Sequence, residues 1–183
     1  MIARVAERFK VDGSKPTYLP ADANSRLSKT GVQDKDKTSK MPYRELVGSL
    51  MYVMVCTRPD ISNAVGEVSK FLEDNNQDHW NAALKILKYL KTTKSLSLKY
   101  EGTSAQPMVA YADASWASDP DSGRSVTGYV VTINGASVSW KSQRQPTVAM
   151  SSTEAEYMAL FAVTQEIIWI RRLLQQVDTR DQG

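Results

Sequence analysis

The sequence predicts an α+β protein, with a helical module first and three antiparallel strands and a long helix after it. Three observations predict this class. Apolar residues recur at helical spacing through residues 42–94, the period changes to alternation after Tyr100, and Asn134-Gly135 separates two β-branched runs.

Residues 1–10 match a short amphipathic helix with Ile2, Val5, Ala6 and Phe9 on one side. Val11 to Lys40 is rich in Lys, Asp, Ser, Thr, Gly and Pro without a burying period, which predicts a linker whose most polar part is QDKDKTSK. Leu46, Val47, Leu50, Met51, Met54 and Val55 then mark the inward side of a first long helix. Pro59 ends it, because proline disfavours helix at Arg58 and suits the first turn of the next helix. That second helix carries Ile61, Ala64, Val65, Val68, Phe71 and Leu72. Asn75, Asn76 and Asp78 supply stop and cap residues before a third, with Trp80, Ala83, Leu84, Leu87 and Leu90 inward.

Gly102 to Pro107 marks a boundary, and strands are expected at 107–113, 126–133 and 136–141. Asn134-Gly135 predicts a type I′ turn, since both central positions need positive φ, so the last two strands pair as a hairpin. SerSerThrGluAlaGlu (151–156) opens a helix running to about Gln176, with Ala155, Ala159, Val163, Ile167, Ile170 and Leu174 as its apolar stripe.

Composition bounds the function. A chain of 183 residues with 42% hydrophobic and 23% charged residues has room for one ordinary domain or two small ones. No apolar run is long enough to span a membrane and the start lacks a signal peptide's order, so an intracellular location is expected. Cys56 is the single cysteine, which excludes a disulfide framework or thiolate cluster, and it reads as a buried thiol. A net charge of +3 does not by itself announce nucleic-acid binding. No glycine pattern supports a nucleotide-binding loop.

Two carboxylates stand out: Asp113 at the end of the first strand, and Glu156 early in the long helix. Residues two apart on a helix lie about 200° apart, so Glu154 and Glu156 cannot both face the sheet. Glu156 shares the stripe of Ala159, Val163 and Ile167 and is the one expected to face inward. Two readings stand for it. It offers a hard oxygen ligand for Mg²⁺, or it completes a Thr153-x-x-Glu156 capping box. Taken alone, Asp113 reads more readily as a strand-ending turn residue than as a ligand, and Asp119 and Asp121 read as turn formers. Lys85, Lys88, Lys91 and Lys94 recur every three residues and read either as a solvated helix face or as a stripe tracking phosphates. His79 reads as a surface or capping residue.

ProTyrArgGluLeuValGlySerLeuMetTyr (42–52), CysThrArgProAspIle (56–61), HisTrp (79–80) and LeuLysTyrLeuLys (87–91) resemble the connector of copia-type retrotransposon polyproteins. TyrAlaAspAlaSerTrpAlaSerAsp (111–119), SerValThrGlyTyrVal (125–130), ValSerTrpLysSerGlnArgGlnProThrValAla (138–149) and SerSerThrGluAlaGluTyrMetAlaLeu (151–160) resemble the ribonuclease H segment of the same family. The resemblance implies a tail of the polymerase region over 1–20, a polar linker over 21–41, a helical connector over 42–101 and a partial ribonuclease H-like domain over 105–183.

It further implies Mg²⁺-dependent cleavage of the RNA strand in an RNA–DNA hybrid, with the remainder of the Pol polyprotein as partner. The family's first metal-binding Asp falls on Asp113 and its helix Glu on Glu156. A third catalytic Asp, in a CysAspAsn-type segment, has no match before the closing GlnGlnValAspThrArgAspGlnGly. The expectation is therefore a truncated region, weak or inactive alone, with an open sheet edge that invites self-association. A non-catalytic nucleic-acid-binding or scaffold module, and a relic of a decayed element, are the alternatives.

Overall fold

A computed structural model describes residues 1–11, 13, 15–22, 27–28, 41–100 and 108–180, and the side chains of these up to residue 177. Most of the predicted linker and the predicted boundary at 102–107 lie outside the described residues. Among the described residues the architecture is α+β: five helices and a three-stranded antiparallel sheet. The elements are α1 (Ile2–Arg8), α2 (Tyr43–Thr57), a 3₁₀ turn (Pro59–Ile61), α3 (Ser62–Ser69), α4 (Gln77–Thr92), β1 (Met108–Ser115), β2 (Val126–Ile133), β3 (Ala136–Arg144) and α5 (Ser152–Arg180). The chain divides into two compact units, Met1–Leu98 and Lys99–Gly183.

In the first unit α2, α3 and α4 turn their apolar sides onto one core. Leu46, Val47, Leu50 and Val53 meet Ile61, Ala64, Val65, Val68, Ala83, Ile86, Leu87 and Leu90 there. The inward stripe of α2 differs from the expected one, because Val53 is buried while Met51 and Val55 are exposed. An apolar run without polar interruption leaves the helix's rotation undetermined, and packing against α3 and α4 chooses it. Cys56 falls on the outer side of α2 and is exposed, which corrects its reading as a buried thiol. Val11 is buried beside Ala6, so the chain after α1 packs onto this core where a linker was expected to begin.

Two polar devices hold the connections. At the start of α4 the Asn76 Oδ1 accepts from the backbone N–H groups of Asp78 (2.9 Å) and His79 (3.0 Å), and the Asn76 N–H donates to His79 Nδ1 (3.0 Å). This capping box leaves the ring proton of His79 on Nε2. The same ring stacks on Phe71 at 3.9 Å, so His79 is a buried cap and not a surface residue. Between α2 and α3, Arg58 turns inward and grips Asp60 with two hydrogen bonds, from Nε (2.9 Å) and Nη2 (2.7 Å). It also donates to the carbonyl (3.1 Å) and hydroxyl (2.7 Å) oxygens of Thr93, just past α4, while Tyr89 donates its hydroxyl to Asp60 (2.7 Å).

In the second unit β1 and β3 flank β2, with Asp113 opposite Gly128 and Tyr129 opposite Lys141. β1 runs two residues further than predicted, because Ala114 and Ser115 still pair with Thr127 and Val126. Asp113 is thus inside the strand and does not terminate it. β3 likewise continues to Arg144, where Val126 is its partner. Asn134 (φ +50°) and Gly135 (φ +79°) form the expected turn. Gly135→Ala is expected to lower the stability of this unit by about 1 kcal/mol, because a Cβ is strained at that φ. A urea midpoint equal to the parent's would show that the turn tolerates it.

α5 lies across β1 and β2, with Val163 and Ile170 packed among Tyr129, Val131, Met108, Ala110 and Ala112. It extends to Arg180, beyond the expected end near Gln176. At 29 residues the helix is about 43 Å long, whereas an eight-residue strand spans about 27 Å. The stripe therefore runs past the sheet, and Leu173, Leu174 and Val177 on its continuation are exposed.

Candidate functional site

The start of α5 and the segment before it are tied to the sheet by buried and part-buried polar contacts. Trp116, just after β1, donates its indole N–H to the Ala149 carbonyl (3.1 Å). Gln145, 3% exposed, donates through Nε2 to Thr127 Oγ1 (3.0 Å) and the Ala155 carbonyl (2.9 Å). Its backbone N–H also donates to the Ser125 carbonyl (2.8 Å). Together these bring the start of α5 to the end of the sheet where Ser115, Val126 and Arg144 pair. A glutamine in a polar segment such as SerGlnArgGlnPro gives no sign of burial, so Gln145 is invisible to sequence patterning.

The helix cap is made by Ser151 and Glu154. Ser151 Oγ accepts from the Glu154 N–H (3.1 Å), and the Glu154 carboxylate accepts from the Met150 N–H (2.7 Å). The Thr153–Glu156 box, one of the two readings of Glu156, is therefore not formed: the helix begins at Ser152, so Ser151 takes the cap position and Glu154 the third residue after it. Glu156 is left free of capping duty. It is exposed, which corrects the expected inward orientation. The buried stripe starts at Ala155, and one residue's turn of about 100° carries Glu156 to the stripe's edge.

The two flanks of α5 differ. Glu154, Tyr157, Met158 and Phe161 line a cleft of about 510 Å³ with Lys141 and Gln143 of β3. Glu156, about 200° from Glu154, is on the flank away from that cleft, toward β1. Asp113 lies on this edge strand at the same end of the sheet, and it too is exposed. Because Met108, Ala110 and Ala112 face α5, alternation puts Tyr111 and Asp113 on the other face of β1. The two carboxylates thus belong to the same end of the sheet but to its opposite faces, Glu156 with α5 and Asp113 away from it. Neither has a hydrogen-bond or ion-pair partner among the described residues. No three His, Cys, Asp or Glu side chains among the described residues gather to hold a metal.

Among the other candidates, Asp119, Lys85 and Lys91 have structural partners. Asp119 is buried and accepts from Arg144 Nη1 (2.9 Å) and from the Ser122 hydroxyl, closing the turn between β1 and β2. Lys85 pairs with Asp22, and Lys91 donates to the Val11 carbonyl (3.3 Å). Lys88 is half-buried on α4, and Lys94 lies beyond the helix's last residue, Thr92.

No family model and no solved structure matches the chain. Among curated proteins it is 46% identical over 180 residues to the "Retrovirus-related Pol polyprotein from transposon TNT 1-94" of Nicotiana tabacum, a match covering 96% of this chain. It is 36% identical over 165 residues, 90% of this chain, to the "Retrovirus-related Pol polyprotein from transposon RE2" of Arabidopsis thaliana. This chain belongs to the retrovirus-related Pol polyproteins of transposons. It spans a small part of these Pol relatives, 14% of the first and 11% of the second. A shorter relative, the "Secreted RxLR effector protein 161" of Plasmopara viticola, is 47% identical over 130 residues, which cover 71% of this chain and 92% of that protein. Among the described residues, no helix of this Pol region is long and apolar enough to cross a membrane.

Proposed function

We propose that the chain is the ribonuclease H-type region of a transposon Pol polyprotein, acting on the RNA strand of RNA–DNA hybrids with Asp113 and Glu156 as two of its Mg²⁺ ligands. The observation that carries this reading is the helix cap: with Ser151 and Glu154 making it, Glu156 is a carboxylate without structural employment, at the end of the sheet where β1 also carries Asp113. Carboxylate oxygens suit Mg²⁺, which prefers hard donors in octahedral geometry. When bound, the ion would activate water and steady the leaving oxygen of the scissile phosphodiester. Two carboxylates are a partial donor set, and the absence of a third ligand among the described residues makes slow cleavage the expected behaviour of this chain alone. The Pol relatives' far greater length makes the remainder of such a polyprotein the natural supplier of further ligands.

The test is a labelled RNA–DNA hybrid incubated with the purified chain and Mg²⁺. Slow cleavage of the RNA strand is expected, abolished by Asp113→Asn and by Glu156→Gln. Cleavage that survives either change overturns the assignment. A hybrid that is bound but left intact favours a second reading, a non-catalytic binding or scaffold module, which the partial donor set also supports. In that case neutralising Lys88 and Lys94, which do not share the Asp22 and Val11 contacts of Lys85 and Lys91, should weaken binding and flatten its salt dependence.

A further inference from the structure

Helix α5 carries more apolar surface than its sheet uses. Ala155, Ala159, Val163 and Ile170 are buried against the strands, while Tyr157 (68%), Phe161 (64%) and Ile168 (46%) stand exposed on the outer side. Tyr157, Phe161, Thr164 and Ile168 follow the four-three-four spacing of a helix–helix seam. A helix with apolar residues on opposite sides belongs between two packed layers, and among the described residues of this unit only one is present. The cleft beside Tyr157 and Phe161 gives a second helix room to settle against β3.

Charge selects the occupant and its direction. Glu154 and Arg172 stand eighteen residues apart, about five whole helical turns, so they flank the seam on the same side. Arg172 is exposed, and Glu154 is only partly covered. Their midpoint, residue 163, lies at the middle of the seam. A two-fold axis there sets Glu154 of each copy against Arg172 of the other, whereas a parallel two-fold pair would put the charged flanks on opposite sides of the seam and match no Glu154 with an Arg172. The surface is thus complementary to itself in one orientation.

We propose that two copies of the chain associate through antiparallel α5 helices, with Tyr157, Phe161 and Ile168 as the apolar seam and Glu154–Arg172 pairs at both ends. Sedimentation equilibrium of the 183-residue chain at micromolar concentrations is expected to show a dimer. Phe161→Asp, on an exposed position that leaves the fold intact by circular dichroism, is expected to raise the dissociation constant about 30-fold. Arg172→Glu is expected to weaken association about tenfold and Glu154→Arg in the same chain to restore it, although Glu154→Arg also removes a cap contact. A monomeric parent overturns the proposal. So does a dimer indifferent to Phe161→Asp, which would point to pairing at a sheet edge, or a double charge reversal that restores nothing.

Discussion

Arg58→Met is expected to destabilise the Met1–Leu98 unit by about 3 kcal/mol, the low end for stripping one partner from a buried ion pair. The guanidinium is 3% exposed and joins Asp60 to Thr93, so its loss unties the α2–α3 corner from the end of α4. The Asp60 side chain is 33% exposed and recovers some hydration when abandoned, which keeps the effect from being larger. Amide hydrogen exchange of α4, against urea unfolding by circular dichroism, measures it; a loss under about 1 kcal/mol would show that the network adds little.

The same pair has a pH signature. Burial alone would raise the Asp60 carboxyl, but hydrogen bonds from Arg58 and Tyr89 and the charge of Arg58 outweigh it and hold the group below its usual value of 3.8. A carboxyl lowered in the folded state stabilises above its unfolded pKa, and that contribution fades as pH falls from about 4 through the folded value. Arg58→Met should flatten this acid limb, whereas stability near neutral pH should fall by a constant amount.

Leu50→Ala is expected to cost about 3 kcal/mol, the middle of the range for emptying a leucine-sized volume from a packed core, and Val55→Ala less than about 0.5 kcal/mol. Sequence pattern alone treats the two alike as members of one inward run. Leu50 is fully buried, and Val55 is 65% exposed. Equal losses in urea unfolding would mean that α2 is rotated about its axis relative to the structure described above.

The partition between sequence and structure follows from the range of the forces involved. Helices at 43–57, 62–69 and 77–92, the hairpin turn at Asn134-Gly135 and a cap among Asn75, Asn76 and Asp78 are all decided by neighbours within a few positions, whereas the inward orientation expected of Glu156 is not what the packing of α5 gives. Periodicity, proline geometry and turn chemistry are local, so they are written in the chain. The motifs at 42–61 and 111–160 likewise suffice to recognise a transposon Pol region, because family resemblance needs only residue order.

Only tertiary structure decided the rotation of α2, the burial of Gln145 and His79, the inward turn of Arg58 and the exposure of Cys56. Each depends on what a residue meets from a distant segment, and polar side chains are buried only where such a segment supplies their hydrogen bonds. The carboxylate pair divides the same way. Asp113 and Glu156 are legible as candidates from position and resemblance. That both are exposed and stand on opposite faces of the sheet follows from strand alternation together with the docking of α5, which no local pattern contains.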